Sequence, residues 1–195
     1  MNLAELTTCP AIFYILEYRM NPESNLRSQD VVLLLKLLAH PDDEWTYADL
    51  GNSLGFSASQ AYLSVNRAAG AGLLNYPAPQ NTLNRANLRE FLIHGVKYAF
   101  PVHRGTLTRG IPTAYAAPPL NREIQNSSEP PPVWPSPQGT VRGLELSPLY
   151  KTVPQAAQND PDLYELLALV DAIRDGRARE RDLAIKELSK RIGEP

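Results

Sequence analysis

The chain has one cysteine, Cys9, in 195 residues. A single thiol cannot close an internal disulfide, which excludes a stapled secreted scaffold and points to a cytoplasmic setting. Long apolar runs are missing as well. The longest, "AIFYIL" from Ala11 and "VVLLLKLLA" from Val31, are far too short to span a membrane, and residues 1–19 carry acids without a basic lead. Neither a membrane partner nor a signal peptide is expected. Methionine occurs only at Met1 and Met20, and the helical signals begin after the second, so residues 1–19 read as an extension added by an early start.

Chemistry-bearing patterns are equally sparse. The three histidines, His40, His94 and His103, form no close pair at ligand spacing with each other or with Cys9, so no metal site is expected. The consecutive acids Asp42, Asp43 and Glu44 suit a solvated loop better than paired acid and base work. There is no G-x-S-x-G element and no glycine-rich nucleotide fingerprint. These absences argue against an enzyme, with no catalytic residue and no cofactor implied.

The chain does have the length for a self-sufficient core: one sizeable domain, or a smaller one with an appended segment. Its net charge is −2, but the distribution is uneven. From Leu50 to Arg122 the basic residues Arg67, Arg85, Arg89, Lys97, Arg104, Arg109 and Arg122 face the single acid Glu90, a local charge of +6. Such a stretch is either a nucleic-acid footprint or ordinary solvated charge, depending on whether the cations share a face.

The hydrophobic pattern gives an order of elements. "SQDVVLLLKLLA" (28–39) is apolar nearly all round and predicts a largely buried helix, ended by Pro41. "EWTY" suggests a short strand. Thr46 with Asp49 forms a variant capping box for a helix from Tyr47 to Leu54, stopped by Gly55 in a left-handed conformation. Ser57 with Gln60 caps the next helix, in which Ala61, Val65 and Ala68 face inward, while Ser59, Tyr62, Asn66 and Arg67 form a polar outer face. A short strand in "LLNYPAP" and a helix from Asn84 to Tyr98 follow, the latter with Leu88, Phe91, Leu92 and Val96 as its stripe. From Pro101 to Leu120 no period is sustained, and seven prolines lie between Pro118 and Pro137, so an extended arm with short strands is expected, "GTVRGLELSPLY" supplying one of them. Asp160 and Pro161 then open a helix with Leu163, Leu166, Leu167, Val170 and Ile173 as its stripe, and Gly176 separates it from a charged helix ending at Ile192. That helical pair either folds back on the first helices or packs on a second subunit.

"TYADLGNSLGFSASQAYLSVNRAAGAGLL" resembles the winged helix-turn-helix transcriptional regulators of the MarR-like and ArsR-like kind, over residues 28 to about 76 and more loosely to 99. In that pattern "ADLGNSLGFS" supplies the second helix and turn, "SASQAYLSVNRAA" the recognition helix and "GLL" the entry to the wing. The remainder, with "HGVKYAFPVHRGTLTRGIPTAYAAPPL", is similar to an uncharacterised group of bacterial regulators, some in toxin or defence operons. Two departures stand out: the recognition helix has one cation, Arg67, and a helix and a proline-rich arm follow "GLL" where a hairpin wing would return.

The resemblance implies a mainly α protein with minor β. It would have an N-terminal extension (1–27), a winged helix-turn-helix domain (28–99), an extended Pro-rich arm (100–153) and a C-terminal helical segment (154–195). It implies a homodimeric repressor of its own operon that binds duplex DNA. Gln60, Asn66 and Arg67 would read bases, Ser59 and Tyr62 would contact phosphates beside the capping Ser57, Arg85 and Arg89 would flank the DNA backbone, and Arg104 and Arg109 would enter a narrow minor groove. Two alternatives stay open. One is a winged-helix interaction module, antitoxin-like or an assembly protein, docking on a partner protein from the same operon; the other is an enzyme built on the "HRGTLTRG" loop.

Overall fold

The computed structural model describes residues 25–75, 82–124 and 129–193, so Cys9 and the extension 1–19 lie outside the described residues. It is mainly helical with a small amount of strand. The first helix among the described residues, α1 (Ser28–Ala39), has Val31, Val32, Leu33, Leu34 and Leu35 at zero exposure, which requires cover on every side. Helix α3 (Ala58–Gly70) lies against it, and so does α7 (Pro161–Asp175), the first helix of the C-terminal pair. That pair therefore folds back on the first helices. Its last member, α8 (Ala178–Ile192), packs on α7 through Ala184, Leu188 and Ile192. One hydrophobic core runs from Val31 to Ile192 through all of these elements.

The caps form where the sequence puts them. Thr46 Oγ1 accepts from Asp49 N, and the Asp49 carboxylate accepts from Thr46 N, at the start of α2 (Tyr47–Leu54). The Thr46 hydroxyl, which donates to Asp49 Oδ2, and then the Thr46 amide hold the Asp49 carboxyl below its usual range. Gly55 ends α2 at φ +71°, and Asp160 Oδ1 accepts from Leu163 N to cap α7 behind Pro161. The expected strand at "EWTY" does not form. Those residues are the extended entry to α2, where the Thr46 cap occupies the backbone that a ladder would need.

After α3, Leu74–Asn75 (β1) pairs antiparallel with Thr82–Leu83 (β2), in the register Leu74↔Leu83 and Asn75↔Thr82. A short antiparallel partner thus follows "GLL", too short to be seen as a periodic pattern. Helix α4 (Arg85–Glu90) continues through a π-helical turn (Phe91–Gly95) into α5 (Val96–Ala99), and α6 (Val153–Asn159) precedes α7.

The arm is more regular than its prolines suggest. Strands β3 (Arg104–Pro112), β4 (Pro132–Pro135) and β5 (Val141–Leu146) close on one another: β3 pairs antiparallel with both others, and β4 pairs parallel with β5. Three strands leave almost no interior. Val133 fills it, and glycines must face it: a Cβ on Gly110 would lie 2.1 Å from the Trp134 carbonyl oxygen, and one on Gly143 would lie 2.0 Å from that of Pro131.

Trp134 anchors this small barrel to α7. Its Nε1 donates to Asp171 Oδ2 at 2.6 Å, Thr113 Oγ1 donates to the same oxygen at 2.9 Å, and Arg174 Nη1 donates to Oδ1 at 2.6 Å. Burial pushes the Asp171 carboxyl up, while the Arg174 charge and the three donors favour its ionised form. Arg174 also donates to the Phe100 carbonyl, which ties the end of α5 to the same cluster.

A second polar tie crosses the core edge, where Lys36 Nζ of α1 donates to Asp160 Oδ2 at 2.6 Å and His40 Nε2 sits 2.9 Å from the same oxygen. Burial raises the Asp160 carboxyl, but the Leu163 amide, Lys36 and His40 outweigh it and leave it below the ordinary carboxylate value.

Replacing Trp134 by Phe removes one donor from a buried carboxylate and should lower stability by about 2 kcal/mol in urea denaturation, with an unchanged slope. Asp160→Asn keeps a capping side chain but loses the charge, so it should be less stable than the parent at neutral pH. Because the folded-state value is depressed, that difference should shrink as pH falls through the carboxylate range and vanish below the folded value.

Candidate nucleic-acid interface

The residues expected to meet DNA fall into three groups. Ser57, Ser59, Gln60 and Tyr62 lie on the exposed first half of α3, together with Leu63. Ser57 and Gln60 cap each other: Ser57 Oγ accepts from Gln60 N at 3.2 Å, and Gln60 Oε1 accepts from Ser57 N at 2.9 Å. The Gln60 amide NH2 points away from this exchange as a remaining donor. Tyr62 meets Tyr47 edge-on at 5.4 Å between ring centroids, and Tyr47 meets Trp45 at 5.9 Å, so an aromatic ladder flanks the exposed half of α3.

Asn66 and Arg67 are not on this surface. Both are buried, and this corrects the polar face assigned to the second half of α3. The reason is electrostatic: Arg67 Nε donates to Asp30 Oδ2 at 2.8 Å and its Nη2 to Asp30 Oδ1 at 2.6 Å, a bidentate pair with an aspartate of zero exposure. Ser64 Oγ accepts from Arg67 Nη2 and from Gln29 Nε2, and the Arg27 amide donates to Asp30 Oδ2. The arginine that looked like the reading residue instead fastens α3 to α1.

The remaining arginines divide. Arg85 Nη1 donates to the Ile192 carbonyl, the open C-terminal end of α8, and Arg89 Nε donates to Ser189 Oγ on the same helix. These two, expected to grip a phosphate backbone, dock α4 on α8. Arg104 forms a two-point contact with Asp175 at the end of α7, at 2.9 Å and 2.8 Å, and hydrogen bonding there raises its pKa further above the usual value. Arg109, on β3, is exposed, and its guanidinium has no partner among the described residues. Directly across the ladder from it stands Arg142 of β5, also exposed. Sequence reading missed Arg142, because only strand register brings residues 33 positions apart side by side.

The structure also assembles a set of metal-compatible groups that spacing did not show. His40, Asp160 and Asp162 offer ligand atoms within 4.8 Å of one another. The Lys36 ammonium already occupies the space over Asp160 Oδ2, so a cation there would compete with a resident positive charge. No helix among the described residues is long and apolar enough to cross a membrane.

Comparison with protein-family models, with curated proteins and with solved structures finds no match to this chain.

The Arg67–Asp30 pair makes a sharp prediction. Arg67→Ala leaves a buried aspartate without its cation and should cost about 3–5 kcal/mol in chemical denaturation. The paired apolar replacement Arg67→Met with Asp30→Leu should recover most of that loss. A destabilisation below about 1 kcal/mol for Arg67→Ala would mean the arginine belongs to the surface after all.

Proposed function

We propose that this chain is a transcriptional regulator with a winged helix-turn-helix unit, binding duplex DNA as a homodimer and repressing its own operon by occupying the promoter. The observation that carries the reading is the arrangement around α3. A doubly capped turn, Gly55 and Ser57, presents the first half of α3 to solvent while its second half is fixed in the core, and the antiparallel pair β1–β2 follows at once. A helix held in this way can enter a major groove by its N-terminal residues, and a two-residue ladder beside it is a minimal wing. Ser59, Gln60 and Tyr62 are the groups positioned to meet DNA. The Gln60 NH2 suits a base acceptor, and the two hydroxyls suit phosphates.

Electrostatics restricts how such binding would work. Between residues 28 and 75 the cations Lys36 and Arg67 face Asp30, Asp42, Asp43, Glu44 and Asp49, a net charge of −3. The helix-turn-helix unit can therefore select a sequence but contributes no net electrostatic attraction to phosphates, which must come from other elements.

The same observation favours a second reading. The exposed half of α3 is uncharged and displays Tyr62 and Leu63 beside Tyr47 and Trp45, which is the composition of a protein-docking surface. On that reading the unit binds a partner protein from the same operon.

Titration with the duplex upstream of the gene, at several salt concentrations, separates the two. The DNA reading expects affinity that falls with salt and, in Tyr62→Ala, which lies outside the capping box, weaker binding by the same factor to the upstream duplex and to a scrambled one. No duplex binding at low salt, together with a salt-insensitive partner interaction abolished by Tyr62→Asp, would replace it with the docking reading.

A further inference from the structure

Antiparallel strands β3 and β5 place Arg109 opposite Arg142, with Thr108 against Gly143 on one side of the pair and Gly110 against Val141 on the other. Side chains directly opposite on a ladder project from the same face with their Cβ atoms about 5 Å apart, and like charges in that position repel. Five arginines have an acidic counter-group: Asp30 for Arg67, Asp175 for Arg104, Asp171 for Arg174, Glu129 for Arg177 and Glu165 for Arg191. Arg109 and Arg142 have none among the described residues. Arg179 and Arg181 of α8 also lack one among the described residues, so what sets Arg109 and Arg142 apart is that they stand opposite each other.

Nearby acids do not serve them. Glu145 lies three residues beyond Arg142 and so faces the other side of β5, where it packs over Gly105. Asp175 is taken by Arg104 at the far end of β3. The neighbouring turn contributes exposed Pro137, Gln138 and Thr140, all uncharged. Leu107, half exposed, shares the face two residues along from Arg109, giving an apolar rim beside the two cations. The strands are closely apposed around Val133, with glycines where a Cβ would clash.

We infer that Arg109 and Arg142 form a two-arginine clamp for a phosphodiester of the nucleic-acid backbone, supplying the grip that the acidic helix-turn-helix unit lacks. An anion between the two guanidiniums turns their repulsion into two charge-assisted contacts, and each arginine can offer its planar fork to phosphate oxygens. The clamp carries no base readout, so it acts on any sequence alike. This inference rests on the duplex-DNA reading above.

The test compares the parent chain with Arg109→Ala/Arg142→Ala and with Arg109→Lys/Arg142→Lys, by fluorescence anisotropy against the upstream duplex and a scrambled duplex across a salt series. Thermal melts establish that all three are folded. The alanine pair should weaken both duplexes by the same factor and make the slope of log affinity against log salt shallower by about 1, as expected for one phosphate released, while the lysine pair keeps the slope. A parent chain that binds duplex with a slope unaffected by the alanine pair overturns the clamp and leaves the regulator reading standing. A parent chain that binds neither duplex at low salt overturns both. Inorganic phosphate is titrated in parallel by thermal shift at constant ionic strength. If millimolar phosphate stabilises the parent but not the alanine pair, and duplex affinity is the same in both, the site takes a free anion and the nucleic-acid clamp is overturned.

Discussion

A helix that is apolar on every side cannot lie on a surface, and α1 is such a helix. Its five consecutive residues from Val31 to Leu35 are fully buried, so α3 must cover one side and α7 another, although some 90 residues separate those two covers in the chain. That constraint brings the C-terminal pair back onto the first helices and makes one core of segments that composition alone would divide. The barrel of β3, β4 and β5 joins the same core through Trp134.

Burying so much apolar surface says little about how the layers register, and the buried charges do that work. Arg67 with Asp30 fixes α3 on α1; Asp171 with Arg174, Trp134 and Thr113 fixes the barrel and α5 on α7; Asp160 with Lys36 fixes the start of α7 on the end of α1. Each joins elements distant in sequence, and each is directional where hydrophobic contact is not. The consequence for function is subtraction. Arginines that a linear reading counts as available to a polyanion make intramolecular contacts instead, Arg67 in the core and Arg85 and Arg104 at the surface, so the +6 stretch between Leu50 and Arg122 presents less free charge than its count suggests.

On the duplex-DNA reading proposed above, two exposed features share the work: the first half of α3 offers a neutral, partly aromatic surface suited to selectivity, and the strand pair β3–β5 offers two unpaired cations suited to affinity. Separating the two tasks between elements is compatible with an overall negative chain, because phosphate attraction depends on local charge and is screened beyond about 10 Å at ordinary salt.

Local chemistry was legible in the sequence. The boxes at Thr46–Asp49 and Ser57–Gln60, the glycine stop at Gly55 and the Asp160–Pro161 helix start each depend on residues within a few positions, so spacing alone determined them. The buried stripe of α7 was legible for the same reason, since a 3.6-residue period is a property of the segment. The inward turn of Asn66 and Arg67 was not, because Asp30 lies 37 residues before Arg67 and only the packing of α3 on α1 puts the carboxylate within reach. Nor were the regular barrel among so many prolines, the grouping of His40 with Asp160, or Arg109 beside Arg142, each of which is a product of register or of chain return. The sequence by itself determined where helices start and stop and which faces are apolar, through short-range bonding and periodicity. Which charges face the solvent was decided only by the tertiary structure, because a charge turns inward only where folding supplies its counter-group.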